Sequence, residues 1–437
     1  MQESVDRLVG LSLGGDSKEW TQARSLLVDV RIKAKQKEAE ALAGQGNFDE
    51  AYRKFMDAGT DVGILNAAKI MDSKGKVDVA IDTYQHLVRQ YPRSEHVPFS
   101  LYRIASNYEK FFDLSRAIEF YDRLATSFPK DERAPDSINN AALLRIGLHQ
   151  YREAARAYER YAQSYPNESD AEVQQFLAGK YFVKAEDYTE GVRAFREYLQ
   201  RYNRSHGDRH MEAYLTLING LEKLGRGKDA LEMERRAPAV MASLKELPTF
   251  TALGTNLYAQ IMFKEMQRLM STFQEVKLTG SMKALEIALD RKNQLKEQIE
   301  SKMKEMIRIS DLEWSTAAVY NVGLTYHSFA DALRDAIPPG LSPEDEEIYR
   351  TTLEDEFIFP FEDRALEYYK RNLEIESTQK LWNKWIELTY VQLNRLRPDM
   401  YPGRKKEQFM FDVGEQQFTS PPIQSIPAAS ASALRGS

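Results

Sequence analysis

Apolar and small residues recur along this chain at two nested spacings. Within LYRIASNY, Leu101, Ile104, Ala105 and Tyr108 stand three or four residues apart, which is one stripe of a helix. Within AIEFYDRL, Ala117 and Tyr121 stand at i and i+4 and share a face. The longer spacing is 37 residues: Tyr91-Pro92, Phe128-Pro129 and Tyr165-Pro166 follow one another at that interval, and Tyr202-Asn203 continues it without the proline. Twelve residues before each second position comes a small residue, Ala80, Ala117, Ala154 or Gly191, and four residues after that an aromatic, Tyr84, Tyr121, Tyr158 or Phe195. Ala68, Ala105, Ala142 and Gly179 lie twelve residues further back. Each unit is therefore predicted to be a helix–turn–helix of two antiparallel helices. The small residues let the pair approach, the aromatic fills the next gap, and the proline ends the second helix. No proline occurs between Pro166 and Pro238, which predicts uninterrupted helices there.

This order of small residue, turn residue, alanine, aromatic and proline resembles the tetratricopeptide repeat, usually 34 residues long. The turn position is filled by Phe48, Tyr151 and Tyr188, and by Val77 and Leu114 elsewhere. An earlier, degenerate unit holds Ala39, Gly46-Asn47-Phe48, Ala51 and Phe55; a later one holds Gly225, Ala230 and Leu231. Five repeats are expected from about 31 to 204 and a weaker sixth to about 237, with the three extra residues falling between the proline and the next helix. The 37-residue form with Tyr-Pro endings is similar to repeats common in bacterial cell-envelope proteins, among them the outer-membrane assembly lipoprotein and the periplasmic cell-division coordinator. The fold implied is an all-α, right-handed superhelical solenoid with a longer helical C-terminal region.

Outside the array the period is lost. From Ser243 to Ile309 the chain carries Leu285, Leu295, Ile299 and Met306 on a near-heptad stripe that Lys292 interrupts, so a long packed helix is expected in place of a free coiled coil. Repeat-like material then returns, with Trp314, Ala317, Ala318, Asn321 and Tyr326 on a first helix and Ala365 with Tyr369 on its partner. An insertion from Ala336 to Asp363 separates them; in it Ser342 is a candidate N-cap and the acids from Glu344 to Glu347 suit a positive helix end. The stretch around LWNKWIELTYVQLNRLRP resembles the C-terminal part of deltaproteobacterial gliding-motility proteins with these repeats. The expected organisation is a helical lead-in over 1–30, the array over 31–240, a long-helix region over 241–310, repeat-like helices over 311–412 with the insertion at 336–363, and a disordered tail over 413–437.

Composition narrows the chemistry. The 437 residues carry 60 Lys+Arg against 66 Asp+Glu, a formal charge of −6, which argues against a nucleic-acid partner or a polybasic membrane anchor. Hydrophobic residues make up 42%, enough for a core, and cysteine is absent, which removes disulfides, Cys-ligated metals and thiol catalysis. No apolar stretch reaches the roughly 18 residues of a membrane helix, and Glu3 and Asp6 stand where a signal peptide needs basic residues. A soluble chain is expected, which a mature or truncated form would also give.

Enzyme motifs match in letters only. Gly10-Leu11-Ser12-Leu13-Gly14 spells a nucleophile elbow, but no strand precedes it. Gly220 and Gly225 have phosphate-loop spacing, but Arg226 replaces the lysine, so a repeat turn is expected. His206, Asp208 and His210 have helical metal-ligand spacing without a second motif, and no cofactor or metal is expected. The Arg404–Lys406 triplet reads as a solvated charge run.

The resemblance implies a concave face lined by the first helix of each pair. Counting from the structural alanines places Phe99, Tyr102, Ser106 and Glu109 on it, then Asp136, Asn139, Leu143 and Ile146, then Val173, Phe176, Lys180 and Val183. These positions differ from repeat to repeat while the packing positions stay alike. Phe99, Tyr102 and Phe176 are expected to anchor a partner peptide or helix. The function expected is a non-catalytic scaffold or adaptor of a bacterial multiprotein assembly, placed in the periplasm or envelope, with protein partners. The alternatives are an enzyme with its site in 240–400 and a cytoplasmic regulatory repeat protein.

Overall fold

The computed structural model describes residues 18–402, so the Gly10–Gly14 loop, the Arg404–Lys406 run and the tail lie outside the described residues. Every regular element among the described residues is helical, and the chain divides into two compact units between Phe250 and Thr251.

The first unit is a run of helix pairs: α1 (Lys18–Gly44) with α2 (Phe48–Ala58), α3 (Asp61–Ser73) with α4 (Val77–Gln90), α5 (Val97–Lys110) with α6 (Leu114–Ser127), α7 (Ala134–Gly147) with α8 (Tyr151–Ser164), α9 (Ala171–Lys184) with α10 (Tyr188–Arg201), and α11 (Gly207–Lys223) with α12 (Gly227–Leu244). Each helix packs chiefly on its sequence neighbours, the mark of a solenoid. The second helices of four successive pairs begin at Val77, Leu114, Tyr151 and Tyr188, on the turn positions read from the sequence.

The packing positions sit where the repeat requires. Ala68, Ala105 and Ala142 on first helices and Ala80, Ala117 and Ala154 on second helices are fully buried. Tyr84, Tyr121, Tyr158 and Phe195 are all but inaccessible beside them. At Gly179 the alanine is missing for a steric reason: a Cβ there would lie 2.8 Å from the Phe195 ring. The tyrosine of the Tyr-Pro ending joins successive turns, with Tyr91 Oη donating to the Gly59 carbonyl at 2.5 Å and Tyr165 Oη to that of Pro129 at 2.8 Å.

All six intra-pair turns end their first helix alike. The residue two before the next helix adopts a left-handed conformation: Gly46, Gly75, Phe112, His149, Glu186 and Gly225, with φ between 57° and 86°. The following N–H returns to a carbonyl five residues back, as in Asp113 to Tyr108 and Asp187 to Phe182, which closes a Schellman cap. One boundary differs from expectation: α12 does not stop near 237 but runs through Pro238 to Leu244. The donor lost at the proline is tolerated because fully buried Ala237 and Leu244 anchor the helix on either side.

The second unit is built around α15 (Leu312–Arg334), on which α13 (Ala252–Glu275), α14 (Met282–Ile309), α17 (Phe359–Gln379) and α18 (Lys384–Leu396) pack. Leu285, Leu295, Ile299 and Met306 of α14 are buried as the stripe predicts. Lys292 is buried with them: its Nζ donates at 2.8 Å to the Phe273 carbonyl in the last turn of α13 and lies 3.8 Å from the Phe273 ring centroid. It meets the negative end of that helix. The α15–α17 pair repeats the small-against-aromatic contact, since a Cβ on Gly323 would lie 2.7 Å from the Tyr369 ring. Between them stand the short α16 (Pro343–Leu353), capped by Ser342 Oγ accepting from the Asp345 N–H at 3.2 Å, and a π-helical turn, Glu354–Ile358.

Candidate protein-interaction site

Small residues at 68, 105, 142 and 179 hold each first helix against its partner, and part of the side chains at the other positions of α3, α5, α7 and α9 stays open. Phe99 is half-buried. One edge meets Tyr84 at 6.2 Å between centroids, and its face carries Lys69 Nζ at 5.0 Å and the Arg133 guanidinium at 5.4 Å. Tyr102, also half-buried, meets Tyr121 edge-on at 5.6 Å. Burial first, and Asp136 second, push the Tyr102 phenol above its ordinary range, so its hydroxyl remains a neutral donor. Ser106 and Asn139 are half-buried, and Glu109 is exposed, its carboxylate accepting from Tyr121 Oη at 3.1 Å. Leu143 is 44% exposed on a helix whose neighbouring Ala141 and Ala142 are fully buried. Ile146 and Val173 are half-buried, and Asp136 is exposed.

Two of the expected positions belong to the packing. Phe176 is only 4% exposed, wedged between Phe195 at 5.9 Å and Tyr198 at 5.5 Å, and does not stand open on the face. The reason is Gly179: without a side chain there, Phe195 advances and Phe176 fills the space beside it. Val183 is held in the same way, its Cγ2 lying 2.7 Å from where a Cβ on Gly191 would stand. Lys180 remains exposed, paired with Glu212 at 2.8 Å and 5.5 Å from the Phe176 ring centroid.

The contacts of Lys69 and Arg133 with Phe99 were not anticipated. Lys69 is the counterpart of Ser106 one repeat earlier, so the same 37-residue step points to it. The face thus offers ring edges and faces, a leucine, neutral donors and both signs of charge, spread over successive helices. That suits contact with an extended or helical segment.

The histidine pair and the phosphate-loop glycines fall on helix ends and helix interiors. His206 caps α11, its Nδ1 accepting from the Arg209 N–H at 3.4 Å. His210 is buried inside the helix, and burial lowers its pKa to about 4, which keeps the imidazole neutral at pH 7. Among the described residues no three His, Asp or Glu side chains converge as a metal would require. Gly220 lies within α11 against Val192, and Gly225 takes the left-handed turn position at φ +70°. In the second unit a cleft of about 330 Å³ is lined by Phe273, Lys292, Ser328 and Asp335. No described helix is long and apolar enough to cross a membrane.

A tetratricopeptide-repeat family profile matches residues 63–94 and 99–131, the stretches that hold α3 with α4 and α5 with α6. A comparison with curated proteins finds no match. Among solved structures, a tetratricopeptide repeat protein from Parabacteroides merdae is 15% identical, with 59% of this chain and 98% of that one covered at a TM-score of 0.29. YrrB, described as a TPR protein with an unusual peptide-binding site, is 14% identical, with 45% and 92% covered and a TM-score of 0.29. MamA is 12% identical, with 43% and 95% covered and a TM-score of 0.28. With two adjacent units matched by the repeat family and the same helix-pair geometry running from α1 to α12, the first unit of this chain is an array of tetratricopeptide repeats.

Proposed function

We propose that this protein is a non-catalytic scaffold of a bacterial multiprotein assembly, and that the α5, α7 and α9 face takes a peptide or helix of a partner protein. One observation carries the reading. Packing positions hold the same residue types at each 37-residue step, whereas the facing positions change from Phe99 to Asp136 to Val173, and from Ser106 to Leu143 to Lys180. On this face Leu143 stands exposed directly after two fully buried alanines, Ala141 and Ala142, and adds an apolar contact to the ring edges and charges around it. The cell envelope is the proposed location, on the resemblance of the Tyr-Pro repeats, and fractionation of the native cell tests it directly.

The face itself is tested by affinity capture from the native cell with wild type, a Leu143→Asp/Lys180→Glu variant and an Arg123→Glu control on the exposed side of α6. The expected result is a protein retained by wild type and the control and lost from the face variant, with circular dichroism melting unchanged in all three. Equal capture by the face variant sinks the proposal.

A further inference from the structure

The two units each present a helix that carries exposed apolar side chains and a concentrated charge. On α1, Lys35 donates to the Asp57 carbonyl, Gln36 to Thr60 and Ala39 is fully buried, so these residues mark the side turned to the rest of the array. At 100° per residue, Leu26, Val30, Lys33 and Lys37 fall on the opposite side. Leu26 is 65% exposed and Val30 45%, and between residues 24 and 37 five basic residues stand against one acidic.

On α16 no residue is buried. Ile348 is 66% exposed and shares a face with Glu344 and Asp345 one turn earlier; Phe357 in the π-helical turn is 46% exposed. Between residues 343 and 357 seven acidic residues stand against one basic.

We propose that α1 of one copy docks on α16 of a second copy, so that the chain associates head to tail. Charge decides the pairing, since α1 on α1 and α16 on α16 each set like charges together. The order along the helices agrees. Apolar residues precede the lysines on α1, whereas acids precede the apolar residues on α16. An antiparallel arrangement therefore sets Lys33 against Asp345 and, three residues away on each helix, Val30 against Ile348, with Lys37 at the same end as Glu344. Val30 to Lys33 and Asp345 to Ile348 are each one helical step of about 4.5 Å at the helical rise, so the apolar and charged contacts fall in register. Such a contact is heterologous, so association of two or more copies rises with concentration.

The test is sedimentation velocity on the full chain from 1 to 100 μM, at roughly 50 mM and 500 mM salt, a range over which surface charge is progressively screened. The expected result at low salt is a mass rising from the 50.3 kDa monomer to twice that and beyond, returning to monomer at high salt. Lys33→Glu/Lys37→Glu and Glu344→Lys/Asp345→Lys each hold the chain monomeric, and the chain carrying all four changes associates again. All the altered side chains are exposed or half-exposed, and an unchanged circular dichroism melt confirms folding. A monomer under every condition overturns the proposal, as does association that neither reversal affects. Cross-linking of an equimolar light- and heavy-isotope mixture gives mixed-isotope α1–α16 links if two copies pair; same-isotope links alone place the contact within one chain and also overturn it.

Discussion

At the residue scale the repeat separates side chains by what surrounds them. Phe176 and Leu143 are both apolar and both lie on a first helix, yet one is 4% exposed and the other 44%. Truncating Phe176 removes a ring packed between Phe195 and Tyr198, and Phe176→Ala is expected to cost about 3 kcal/mol of folding free energy. Leu143→Ala is expected to stay within about 0.5 kcal/mol, because little of its side chain leaves water on folding. Denaturant titration of both variants checks this, and a small loss at Phe176 contradicts the packing described. The difference was only half legible in the sequence. Both residues occupy facing positions of the 37-residue step, and the departure of Phe176 follows from the glycine at 179, whose effect is felt through Phe195 on a different helix.

At the scale of elements, the recurring device is the turn within each pair. Its left-handed residue is glycine at 46, 75 and 225, but Phe112, His149 and Glu186 occupy the same conformation in the middle repeats. A side chain there crowds the following carbonyl at a cost of about 1 kcal/mol, which glycine avoids. Glu186 is exposed and its N–H bonds the Val183 carbonyl through the backbone, so glycine loses no burial and keeps the bond. Glu186→Gly is expected to stabilise the array by up to about 1 kcal/mol, net of the greater freedom of glycine in the unfolded chain, and Gly75→Ala to destabilise it by about 1 kcal/mol. Paired denaturation midpoints that move in the same direction contradict this account. Helix existence, the starts of the second helices and the alanine–tyrosine contacts were all legible, because close approach of two helices admits few residue types. The Schellman caps were not, since three of the six turns hold no glycine. In the second unit Lys292 correctly marked a packed helix, but its carbonyl partner, Phe273, lies on another helix.

At the scale of the whole molecule, the first unit is a series in which each helix leans on its neighbours, so a face formed along several first helices is held by contacts behind it. That division of labour lets the facing residues vary without loss of fold, and it is the physical basis for reading them as contact residues. The period records packing, so on the proposed function a partner is met by the residues that escape it. The account is tested most directly by a photo-crosslinking amino acid placed singly at Tyr102, Leu143 and Arg123 in the native cell. The account predicts a covalent adduct to the same protein from 102 and 143 and none from 123 on the exposed side of α6. Adducts from 123 alone, or none from either facing position, contradict it.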